Sequence, residues 1–170
     1  MIADVESAIV SAVNGCRELY DYVFTTGGIG PTHDDITAEC IAKAFGVKLE
    51  QNSVARDLIA KLCERNGIEL NAARLRMANV PAGARLIENS VSAAPGFQMG
   101  NVFVLAGVPK IMRDMFGGCK SELAGGVLVQ SQTVVAYLPE GIVAEPLRAL
   151  QERFPDVEMG SYPFYEGGRF

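Results

Sequence analysis

The residues best suited to chemistry stand together in Thr25-Thr26-Gly27-Gly28-Ile29-Gly30-Pro31-Thr32-His33-Asp34-Asp35-Ile36-Thr37. Gly27, Gly28 and Gly30 let several backbone N–H groups converge on one point, because glycine tolerates positive φ and close approach. A helix starting after the loop adds free N–H groups and a positive dipole end, which together suit a phosphate. Asp34 and Asp35 stand beside that anion position. Two carboxylates there make chemical sense when a divalent cation, Mg²⁺ by default, lies between them and the phosphate oxygens. Asp35 can equally serve as a cap for the following helix, with Asp34 left to solvent. The Lys-Ser/Thr ending of a P-loop is missing, and so is the six-residue dinucleotide pattern.

The loop needs a strand before it and a helix after it. Tyr22-Val23-Phe24-Thr25-Thr26 is β-branched and aromatic throughout and predicts a buried parallel strand. Helices are expected over 4–18, capped by Asp4, and over 36–45, closed by Gly46. Another begins at Asn52 or Ser53, with Val54, Leu58, Ile59 and Leu62 on one face, and a short one covers 71–78. Residues 80–98 read as irregular, with one short strand at 85–88. A second buried strand covers 101–105 and turns at Ala106-Gly107-Val108 into a helix with Pro109 at its first position, where a missing N–H is harmless.

After Gly125-Gly126 the pattern changes. Strand-like alternation at 132–138, a helix at 142–154 and a strand at 157–164 predict a partial βαβ subdomain. The expected division is therefore 1–126 and 127–170. The chain opens on a helix without a preceding strand and closes just past a strand. Sheet edges of that kind must be paired or hidden, so a homo-oligomer is expected.

The net charge of −5 argues against nucleic acid as a partner, since no Lys/Arg cluster forms a basic face. No signal peptide and no apolar run of about 20 residues is present, so no membrane partner is expected and a cytoplasmic location is. Cys16, Cys40, Cys63 and Cys119 have no metal or redox spacing and are read as reduced structural thiols. His33, the single histidine, is read as a solvated loop residue. Lys110, in the first turn of its helix, can reach a phosphate. Arg74 and Arg76 are read as a solvated helix face.

The Thr25–Thr37 stretch resembles the signature of the molybdopterin-binding fold, shared by MoaB- and MogA-type proteins and CinA-like proteins. Its Pro-Thr-His-Asp-Asp variant is most similar to the CinA-like branch. Asn89 to Phe97, ending Ala94-Pro95-Gly96-Phe97, and Leu105-Ala106-Gly107-Val108-Pro109 agree as second and third motifs. Ala106 departs from the usual Leu-Pro-Gly-x-Pro, and Ser92-Ala93 replaces Gly-Thr. The resemblance implies a three-layer α/β/α domain with a mostly parallel sheet, short of its usual N-terminal strands, followed by a small α+β part. It further implies a small phosphorylated ligand, molybdopterin or an adenine nucleotide, held with Mg²⁺. Asp34 and Asp35 would take the catalytic and metal-binding roles. Thr26, Gly27, Gly28, Ile29, Gly30, Pro95, Gly96, Gly107, Pro109 and Lys110 would hold the ligand. Two activities follow from the resemblance: hydrolysis of a nucleotide pyrophosphate or adenylyl transfer to molybdopterin. The alternative is a non-catalytic binding or scaffold module.

Overall fold

The run Val102-Phe103-Val104-Leu105 has no polar alternation, so both of its faces must be covered. In the computed structural model, which describes residues 1–126 and 128–164, this run forms β6 (Val102–Leu105), buried along its whole length. β6 lies between β1 (Val23–Thr26), parallel to it, and β5 (Gly96–Met99), antiparallel to it; β4 (Arg85–Ile87) follows, giving the order β1-β6-β5-β4. Val102 and Val104 point to one side and pack with Val13 of α1 (Glu6–Leu19) and with Ile41 and Ala44 of α2 (Thr37–Ala44). Phe103 and Leu105 point to the other side, against Met115 and Cys119 of α5 (Pro109–Cys119). The result is an α/β/α sandwich. Each fully buried side chain among these contributes roughly 1.5–3 kcal/mol.

The parallel pair expected from the sequence is β1–β6, the pair that carries the loop. The other two pairings, β6–β5 and β5–β4, are antiparallel. Gly100 and Asn101 join β5 directly to β6, and so short a connection permits only antiparallel neighbours. Asn101 also fastens α1 to this turn, its side-chain amide donating to Arg17 O at 3.0 Å and Tyr20 O at 2.7 Å.

β1 is less buried than its composition predicts. It is the last strand of the described sheet, and Phe24 remains 38% exposed while stacking on Phe103 at 4.9 Å. The cap expected at Asp4 does not form. α1 begins at Glu6, so the capping position falls on Val5 and Asp4 lies one residue too early.

A separate antiparallel pair, β2 (Leu49–Gln51) with β3 (Asn79–Pro81), brackets two helices. Asn52 caps α3 (Ser53–Arg65), its Oδ1 accepting from the Val54 and Ala55 amides at 3.0 and 3.1 Å. That start turns Ala55, Ile59 and Cys63 inward onto Ala78 and leaves Val54, expected on the buried face, exposed. Asn71 caps α4 (Ala72–Arg76) in the same way.

The chain divides into two compact units, Met1–Gly125 and Gly126–Phe170. The second contains α6 (Glu140–Arg153), the helix expected at 142–154. The strands expected at 132–138 and 157–164 are not formed, because an alternating segment becomes a strand only where a neighbour takes its backbone hydrogen bonds. The 157–164 segment is instead tied to α6 by Gln151, which donates to Val157 O at 2.8 Å and accepts from the Met159 amide at 3.1 Å. Residue 127 and the end of the chain from Tyr165, including Gly167 to Phe170, lie outside the described residues. No helix among the described residues is long and apolar enough to cross a membrane.

Candidate functional site

The loop after β1 and the loop after β6 leave the sheet side by side, at the C-terminal ends of parallel neighbours. Open α/β sheets place their ligands at this edge. The Gly27 amide continues the ladder, donating to Leu105 O at 2.9 Å. Gly107 then approaches Gly27 so closely that a Cβ on Gly107 would stand 3.2 Å from the Gly27 Cα. Gly28 has φ +68°, and a Cβ there would meet the Thr37 hydroxyl at 2.0 Å. Its carbonyl accepts the Thr37 amide at 2.9 Å, so α2 is anchored to the loop at its first residue. The backbone N–H groups then sort themselves. Gly27 gives its N–H to the sheet, while Gly28 and Ile29 have no partner for theirs among the described residues. The same holds for Ala38 and Glu39 in the first turn of α2.

The two aspartates behave differently. Asp35 turns back into the loop, its Oδ2 accepting from the Thr32 amide at 2.8 Å and from the Thr32 hydroxyl. It does not cap α2, whose capping position is Ile36 and carries no side-chain cap. Partial burial pushes the Asp35 carboxyl up, but the Thr32 hydroxyl and the Gly30 and Thr32 amides outweigh this and hold its pKa below the ordinary 3.8. The carboxylate is therefore fully ionised at neutral pH. Asp34 points outward, and the Thr32 hydroxyl, with smaller help from its own backbone amide, lowers its pKa as well. His33 is 98% exposed and lies 3.9 Å from the Asp34 carboxylate.

In front of this loop is a cleft lined by Gly28, Ile29, Gly30 and Asp35 on one wall. Ala38 and Glu39 of α2, Arg76 of α4, Asn79 of β3 and Pro95 complete it, over a floor that includes Val80 and Phe97. The cleft is open and shallow. Its enclosed room is about 20 Å³, space for one water, so a larger ligand must lie across it.

Of the residues singled out from sequence, Gly28, Ile29, Gly30, Asp35 and Pro95 meet in this cleft. Thr26 is exposed at the end of β1. Gly96 is buried for packing, since a Cβ there would fall 2.4 Å from the Val104 carbonyl. Gly107, Pro109 and Lys110 are exposed and do not line the cleft. Arg76 does line it, although its position on a polar helix read as a solvated face. The signal was three-dimensional: α4 is only five residues long and runs directly into Met77 and β3, which form the cleft wall. Within the second motif, Asn89 Oδ1 accepts from the Ser92 amide at 2.6 Å, and Ser90 donates to Asp114 of α5. That loop is thus held by its own Asn89 and by Asp114 of α5.

A family model described as "Probable molybdopterin binding domain" matches residues 1–124. The chain belongs to the molybdopterin-binding domain family. A second model, "FAD synthase, middle domain", matches residues 128–170. A protein from Archaeoglobus fulgidus is 35% identical over 162 residues, 95% of this chain and 68% of that relative. A CinA-like protein from Citrifermentans bemidjiense is 40% identical over 118 residues, covering 67% of this chain and 28% of the relative. The crystal structure of CinA from Thermoplasma acidophilum, titled as of unknown function, superposes with a TM-score of 0.61 at 35% identity. It covers 70% of this chain and 72% of that one. The chain thus spans about two thirds of the Archaeoglobus relative and under a third of the CinA-like protein. As a molybdopterin-binding domain of CinA-like character, it carries a fold suited to a pterin or nucleotide-related ligand.

Among the described residues, no three His, Cys, Asp or Glu side chains gather into a metal cage. Mg²⁺ does not require one, because it is commonly held by one or two carboxylates together with substrate phosphates and water. Asp35 lines the cleft with one carboxylate oxygen engaged by Thr32, and the exposed Asp34 stands outside the lining.

Proposed function

We propose that this domain binds a small phosphorylated ligand, molybdopterin or an adenine nucleotide, through a phosphate placed at the Gly28-Ile29-Gly30 turn. The observation that carries this reading is the set of N–H groups at Gly28, Ile29, Ala38 and Glu39. They line one cleft and have no partner among the described residues. Preorganised amides of this kind, with the helix dipole behind them, favour an anion. Asp34 and Asp35 would hold a Mg²⁺ ion that arrives with the phosphates, and the ion would offset their negative charge. Ile29 offers apolar surface for a flat ring lying across the cleft, with the buried Pro95 beneath.

The chemistry that such a site can support is attack on a phosphoanhydride, as in pyrophosphate hydrolysis or adenylyl transfer. Charge would build on non-bridging phosphate oxygens facing the free amides. One observation favours binding without turnover. Asp35 is already engaged by Thr32, which leaves the exposed Asp34 as the freer carboxylate.

A thermal-shift panel with ADP-ribose, FAD, ATP and molybdopterin, each with and without Mg²⁺, tests the proposal. A ligand at 100 times its Kd adds roughly 2.7 kcal/mol, which is about 5–10 °C for a chain of this size. A shift with any one of them supports the reading, and an unmoved cooperative transition with all four refutes it. Release of product from the compound that binds, lost in Asp35→Asn, separates turnover from binding alone.

A further inference from the structure

The cleft has an ionised wall and a cationic wall, and the second is a single residue. Asp35 and Glu39 place two carboxylates on the loop and α2 side, and Arg76 faces them from the end of α4. The Arg76 guanidinium is 3.9 Å from the nearest Glu39 oxygen. That separation is too long for a hydrogen bond, so the pair is held by charge alone. Its side chain has no hydrogen bond among the described residues and is 38% exposed.

Arg76 is the one cationic side chain among the residues lining the cleft, and several other cations are engaged or stand off the lining. Arg74 donates to Glu69 O at 2.9 Å. Lys43 pairs with Glu6, Arg85 with Glu122, and Arg17 lies over the Phe45 ring at 4.2 Å. Lys110 lies outside the cleft. A phosphate entering beside Asp35 and Glu39 meets two negative charges, which the neutral loop amides offset only in part. A guanidinium offers five donors in a planar fork, which a phosphate can meet with hydrogen bonds that the Glu39 carboxylate at 3.9 Å does not make.

We infer that Arg76 is the ligand-binding cation of this site, gripping the phosphate from the wall opposite the glycine turn, and that Glu39 competes with the ligand for it. The inference rests on the phosphate-binding reading above. Binding then exchanges partners: Arg76 leaves Glu39 for a phosphate oxygen, while the Gly28 and Ile29 amides take the other side of the same group. Glu39 therefore sets affinity by holding Arg76 in the free state.

The test is calorimetric titration of the full chain with ADP-ribose, FAD, ATP and molybdopterin, for the wild type, Arg76→Ala, Arg76→Lys and Glu39→Gln. Loss of charged hydrogen bonds predicts roughly 10–100-fold weaker binding in Arg76→Ala. Arg76→Lys should fall between that variant and wild type, because charge remains and the fork is lost. Glu39→Gln should bind up to about 5-fold tighter, as expected from releasing an exposed ion pair. A merely structural Arg76 would not predict tightening on removal of its partner. Arg76 is half-exposed at the end of a short helix, and its variants should melt within a few degrees of wild type. Wild-type binding that Arg76→Ala leaves unchanged overturns the inference alone, and so does weaker binding in Glu39→Gln. A wild-type chain that binds none of the four compounds overturns the phosphate reading and this inference with it.

Discussion

Gly28→Ala is the sharpest perturbation of the loop. Gly28 sits at φ +68°, where a residue with a Cβ costs about 1–2 kcal/mol. The new methyl would also stand 2.0 Å from the Thr37 hydroxyl and 3.0 Å from the Thr37 Cβ. Thr37 is 6% exposed, so its hydroxyl cannot swing into solvent to make room. Overpacking of that kind adds roughly 1–3 kcal/mol. The sum is about 3 kcal/mol, or about 6–12 °C in Tm for a chain of this length. Thr37→Ala alone should cost about 1 kcal/mol. It removes the atom that clashes, so the double variant should lose about 2–3 kcal/mol rather than the additive 4. Urea unfolding of the four proteins, followed by circular dichroism, gives a coupling of about 1–2 kcal/mol. Strict additivity, or a Gly28→Ala protein as stable as wild type, would refute the proposed packing of the loop on α2.

Two further outcomes follow from the same structure. The Asp35 pKa is held below its ordinary 3.8 by Thr32 and Gly30, so the carboxylate stabilises the fold above that pH and loses the contribution as pH falls through 3.8 and lower. Asp35→Asn should therefore be less stable than wild type at pH 7 by about 1 kcal/mol. The gap should narrow as pH falls below 3.8 in urea melts, and a gap that widens on acidification would contradict the assignment. Burial raises the thiol pKa of Cys40 and of Cys119, and Cys63 is buried too. With a neutral disulfide reagent, half-buried Cys16 should react first and the other three only on unfolding; rapid native labelling of Cys119 would contradict the packing of α5.

The strand–loop–helix around the glycines was legible because its signals are local: a β-branched run, glycines that need positive φ, and an apolar face at helical period. The same reasoning located the second helix, the Gly46 stop and the Pro109 start. It did not find β2 and β3, which are three residues each and exist only through each other. β5 was equally hidden, since Gly96 reads as a loop residue until the Val104 carbonyl is seen pressing against it. Alternation after residue 130 over-predicted strands, because period-2 patterning does not show whether a neighbour exists. At the site, the sequence named the glycines and both aspartates. It could not tell that Gly27 gives its N–H to the sheet or that Asp35 folds back on Thr32. It also passed over Arg76, whose importance comes from a cleft assembled by segments far apart in the chain.

The central claim is that a phosphate sits on the Gly28 and Ile29 amides of the glycine turn, beside those of Ala38 and Glu39. Residue-resolved amide NMR of the ¹⁵N-labelled chain, titrated with the compound that gives the largest thermal shift, tests it most directly. Gly28, Ile29, Ala38 and Glu39 should show the largest shifts. Gly27, bound to the Leu105 carbonyl, should move little. Shifts confined to residues outside the cleft, with those four amides unmoved at saturation, would contradict the account.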